Sequence, residues 1–145
     1  MYNGLLHAHS GLRWVALILL IYSVFNAFSK RKDGDFTDGD RKLTLFTMIS
    51  AHLQLVFGLV LYFISDKVSF SEGFMKNSVL RFYAMEHILL MLIAIVLITI
   101  GYSKVKKSTE SSDKFKRILI FFGIALVLII AAIPWPFRDL GAAWF

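Results

Sequence analysis

Four long apolar runs separated by short polar stretches set the pattern of the chain. They occupy about residues 5–28, 43–64, 82–102 and 118–135. Each approaches the ~20 residues that carry a helix across ~30 Å of hydrocarbon. The fourth is the shortest, and Trp135 and Phe137 extend it. Inside a bilayer only helices and closed barrels satisfy the backbone. None of these runs shows the strict alternation of a barrel strand. The pattern predicts an all-α integral membrane four-helix bundle, one domain over 1–145, with both chain ends on the same side.

Three connections remain. Residues 29–42 are polar and rich in Asp, and residues 103–117 are rich in Lys and Ser. The acidic residues of the first connection lack the spacing and the bidentate Glu of a calcium loop and read as a solvated turn. Residues 66–81 are half apolar, through Val68, Phe70, Phe74 and Met75, and predict a short helix lying at the membrane surface.

Composition supports the bilayer. Apolar residues make up 57 % of the chain, against roughly 45–50 % in soluble domains. The net charge of +6 comes from clustered loop residues with no aromatic–basic motif, so nucleic acid is not an expected partner. Eleven of the sixteen Lys and Arg residues fall in the first and third connections. The positive-inside rule places those loops in the cytoplasm and both termini outside, in the periplasm of a bacterial inner membrane. The first run has no basic segment before it and no small-residue cleavage site after it, so it reads as a span and not as a signal peptide. The tail Ile133-Pro134-Trp135-Pro136-Phe137 suits the outer face: Pro ends a helix and Trp anchors it at the headgroups.

The absence of cysteine excludes disulfides, thiolate metal sites, iron–sulfur clusters and covalent c-type haem. No soluble-enzyme motif is present. Chemistry therefore rests on the ionisable residues inside the spans, which are costly there and mark function by default: His9, Arg13, His52, Glu86 and His87, with His7 at the edge. Neutral imidazole ligates haem iron, and a bundle offers an apolar slot between facing helices. A lone helix histidine more often bonds a carbonyl or a neighbouring helix; histidines on three helices favour ligation. At ~1.5 Å per residue, His9 lies roughly 6 Å and His87 roughly 9 Å below the outer boundary, while His52 is near the middle. His9 with His87 is the best match in depth, and His52 with His87 requires tilt. His7 lies about 200° around the helix from His9 and is the weaker ligand. Arg13 and Arg81 are candidates for haem propionates, Arg13 alternatively for an ion pair with Glu86. Gln54, Ser50 and Thr47 are the polar positions open to a quinone, whereas the glycines within the spans read as packing positions.

These residues sit in a wider resemblance. The segments Leu6-His7-Ala8-His9-Ser10-Gly11-Leu12-Arg13-Trp14, Ala51-His52-Leu53-Gln54, Arg81-Phe82-Tyr83-Ala84-Met85-Glu86-His87 and Ile133-Pro134-Trp135-Pro136-Phe137 resemble small bacterial four-span membrane proteins of the cytochrome b-like kind. The resemblance implies haem b, with the ligand role on His9, His52 and His87. It also implies electron transfer with a quinone or a membrane-protein partner, as in a respiratory complex. Two alternatives remain open from the residues: a non-catalytic membrane subunit or assembly factor whose histidines make interhelical hydrogen bonds, and a small transporter or metal-handling protein using His9, His52, His87 and Glu86.

Overall fold

The computed structural model describes residues 1–142 and 144, and among them the regular structure is entirely helical. Four helices are long and apolar enough to cross a membrane: α1 (Tyr2–Lys30), α2 (Asp38–Ile64), α3 (Ser78–Lys107) and α4 (Ser111–Ala132). Each neighbour in the ring α1, α2, α3, α4 packs on the next, and α4 closes back onto α1. Helices α1 and α3 therefore face each other across the diagonal. Large apolar side chains point outward from all four, among them Ile18, Phe25, Val56, Phe63, Leu89, Val96 and Val127. Water would oppose such a surface; lipid matches it. The fold is a transmembrane four-helix bundle.

Helices α2 and α3 begin before the apolar runs, where polar side chains cap them. Asp40 takes the Thr37 backbone N–H at 2.8 Å while its own N–H reaches Thr37 Oγ1 at 3.3 Å, a reciprocal capping box that starts α2. Asp40 also accepts from Asn26 at 2.6 Å and from Lys30 at 2.9 Å, and Asp38 pairs with Arg41 and Lys42. The acidic residues of helix α2's first turn are thus spent on capping and on tying α1 to α2. Phe36 N–H donates to Ser111 Oγ at 2.9 Å, so the first and third connections share one end of the bundle, its basic end. At the opposite end the Tyr2 and Ser65 hydroxyls meet at 3.1 Å, and Lys67 Nζ donates to Gly141 O. Both ends of the described chain lie there with the middle connection. That connection holds a single 3₁₀ turn, Phe74–Lys76, in place of the expected surface helix. Asn77 then caps α3 by accepting from the Val79 and Leu80 N–H groups.

Packing differs between the two ends. Towards the basic end the core is closed by Leu20, Ala27, Ile98, Phe115, Ile118 and Phe122, with Ser23 and Thr47 hydrogen-bonded at 2.8 Å between α1 and α2. A Cβ on Gly101 would stand 2.6 Å from Phe121 Cβ, so α3 and α4 approach here as only glycine allows. Towards the chain ends the bundle opens.

Candidate functional site

The open half contains a cavity of about 370 Å³, walled mainly by aliphatic side chains of all four helices. This size lies within the roughly 300–1,000 Å³ of small-molecule and cofactor pockets. Two imidazoles enter it from opposite corners, His9 from α1 and His87 from α3. Their ring centroids are 6.5 Å apart and their planes stand at 79°.

Local backbone features aim His87. Between Phe82 and Glu86 helix α3 widens into a π turn, and the His87 N–H closes it onto Phe82 O, five residues back. Tyr62 on α2 donates to Ala84 O inside that turn at 3.0 Å. Such bulges re-aim side chains and occur often at functional sites. The ring of His87 is then fixed through Nδ1, which donates to Ala132 O at 2.7 Å. That carbonyl is free for a reason written in the sequence. Its helical donor would be residue 136, a proline with no N–H. Pro134 likewise frees Ile130 O, which accepts from Trp135 Nε1 at 2.9 Å. With the proton of His87 held at Nδ1, its lone pair lies on Nε2.

His9 is held differently. Its backbone carbonyl accepts from Gln54 Nε2 at 3.0 Å, and its ring lies against Gly58, one turn further along α2. A Cβ at Gly58 would come within 3.2 Å of His9 Cε1 and 3.8 Å of Nδ1. His9 Nδ1, Gln54 Oε1 and Arg13 Nε are buried without a hydrogen-bond partner, and their residues all line the cavity. Each such group costs about 1–3 kcal/mol if left unpaired. Three around one apolar cavity leave polar contacts open there, to water or to a ligand that carries polar groups.

The remaining candidates separate. His52 lies outside the cavity wall, its Nδ1 on Met48 O at 2.8 Å and its Nε2 facing Thr99 Oγ1 at 3.3 Å. Nδ1 donates to the Met48 carbonyl, while the Thr99 hydroxyl beside Nε2 gives its proton to Ile95 O at 2.7 Å. His7 is exposed at the cavity rim. Arg13 reaches the mouth, donates to Trp144 O at 2.7 Å and lies 5.2 Å from the Trp14 ring centroid. The Arg13–Glu86 ion pair considered from the sequence does not form. Glu86 instead takes Arg81 Nε at 2.7 Å, and Arg81 also donates to Met75 O. Arg81 is thereby held away from the cavity lining. Gln54 and Thr47 line the cavity, whereas Ser50 turns back onto Thr47 O.

Two features were missed from the sequence. Lys67 stands at the mouth as a second cation, above the Tyr83 ring at 5.1 Å; its only signal was its place three residues after the second span. The π turn has no sequence signature. No group of three or more His, Asp or Glu side chains able to hold a bare metal ion occurs among the described residues.

Comparison with protein-family models, with curated proteins and with solved structures finds no match.

Proposed function

We propose that this chain is a membrane-bound b-type haem protein, in which His9 and His87 would hold the haem iron, with the transfer of single electrons as its activity. The observation that carries the reading is the pair of imidazoles facing each other from diagonal helices into one apolar cavity. The donor set fits the group. Two neutral imidazoles suit haem iron, one already has its tautomer fixed, and Gly58 leaves the other room against α2. Arg13 and Lys67 at the mouth suit the two carboxylates of the macrocycle, and Lys67 takes the place that the sequence offered to Arg81. Haem supplies the redox chemistry when bound. The chain supplies ligands, orientation and a medium of low dielectric that excludes water.

His52 is a structural residue in this reading, because it lies outside the cavity lining and its Nδ1 is bound to the Met48 carbonyl of its own helix. Topology and location follow the charge asymmetry: basic loops in the cytoplasm, chain ends and cavity mouth outside, in a bacterial inner membrane. A quinone or a membrane-protein partner would then approach from the outer face. The resemblance to cytochrome b-like four-span proteins supports the same assignment.

Substitution of the histidines tests it. His87→Ala is expected to abolish haem binding, and His9→Ala to leave an empty or high-spin site. His52→Ala is expected to keep a low-spin spectrum. A His87→Ala protein that folds and keeps an unchanged low-spin spectrum would show the ligand assignment to be wrong.

A further inference from the structure

The two facing histidines differ in what holds their rings, and the difference singles out Gln54. His87 Nδ1 rests on a backbone carbonyl, Ala132 O, at 2.7 Å. His9 Nδ1 has no partner although it is buried, and neither has Gln54 Oε1. The two bare atoms belong to residues already joined, since Gln54 Nε2 donates to the His9 carbonyl at 3.0 Å. The imidazole edge that carries Nδ1 faces α2 at Gly58, four residues from Gln54 on the same face. An N–H on His9 Nδ1 and the free oxygen of Gln54 are a donor and an acceptor without partners; the other bare donor, Arg13 Nε, belongs to a guanidinium turned to the mouth, where it donates to Trp144 O. A turn of the ring across Gly58, where no Cβ stands in the way, would pair them.

The geometry points to Gln54 as the positioning residue of His9: its Oε1 accepts from His9 Nδ1–H, fixes the tautomer and turns Nε2 into the cavity. This rests on the haem reading above and deepens it. Metal-bound histidines commonly donate their second ring N–H to a carbonyl or carboxylate, and that partner sets both ring orientation and basicity. Here His87 uses a backbone carbonyl and His9 a side-chain amide. The His9 side is therefore the one on which a single substitution tunes the site without touching a ligand.

Haem titration and redox potentiometry on the full-length protein in detergent test this, with wild type, Gln54→Leu and Gln54→Glu compared. Leu has similar bulk and no acceptor. Its haem affinity is expected to fall about 10–100-fold and its midpoint potential to rise, because a less polarised imidazole stabilises ferric iron less. Glu retains an acceptor, and a stronger one. It is expected to recover binding and to bring the potential below that of wild type. A Gln54→Leu protein with wild-type affinity and potential would overturn the inference while leaving the haem reading intact. Should Gln54→Leu fail to fold, Gln54→Glu decides alone, and a potential equal to wild type counts against Gln54. A wild-type protein that takes up no haem would fail at the earlier step, overturning the haem reading and this inference with it.

Discussion

Gly58 is the residue at which the smallest change reaches the site. An added Cβ would lie 3.2 Å from His9 Cε1, tight enough that the ring must shift by a few tenths of an ångström. Gly58→Ala is expected to weaken haem binding mildly. Gly58→Val, whose branched side chain fills the space the ring uses, is expected to abolish it with helical content unchanged. Circular dichroism and haem titration of the two variants check the gradation; equal binding by Gly58→Val and wild type would place the ligand elsewhere. Gly58 had read as a packing position from the sequence, which shows a glycine but not what leans on it. Depth was more legible. A constant rise per residue put His9 and His87 at similar levels, and their rings do lie close together. Arg13 and Glu86, offered as an alternative ion pair, do not form one; Glu86 pairs with Arg81. Arg81 and Glu86 are five residues apart, a spacing that an ordinary α-helix places on different faces and that the widened turn of α3 brings together. The local partner is then reached with less ordering of the chain.

At the scale of elements, the spans were legible because lipid demands long uninterrupted apolar runs, and four were expected and four are present. Their ends were less so. Helix α2 begins at Asp38 and α4 at Ser111, several residues before the apolar runs, because capping side chains and charged first turns extend a helix beyond what hydropathy registers. The π turn of α3 was not legible at all: its residues follow the same apolar pattern as an ordinary helix, and the side chain that meets it, Tyr62, lies on another helix. Tyr62→Phe removes that donor and leaves Ala84 O short of a partner, at a cost of about 1–3 kcal/mol. The expected outcome is a lower melting temperature in detergent and, because the turn aims His87, a weakened or altered haem spectrum. A variant with the melting temperature and spectrum of wild type would mean that α3 holds the turn unaided.

For the whole molecule, the closely packed basic end and the open end are unlike, so the direction of the bundle across a membrane can be tested. The chain has no native cysteine, so single introduced cysteines report sidedness cleanly. Asp33 and Glu72 are exposed at opposite ends. With a membrane-impermeant maleimide, Glu72→Cys is expected to label in intact cells and Asp33→Cys only after the membrane is opened; the reverse would invert the topology and place the cavity mouth in the cytoplasm. The central claim is that this cavity holds haem between two histidines, and the absorption spectrum of the purified protein, produced with ample haem, addresses it most directly. The expected result is a Soret band with the split visible bands of low-spin, six-coordinate haem on reduction, and a cofactor that acid–acetone extracts completely. A well-folded helical protein with no Soret band under those conditions would contradict it.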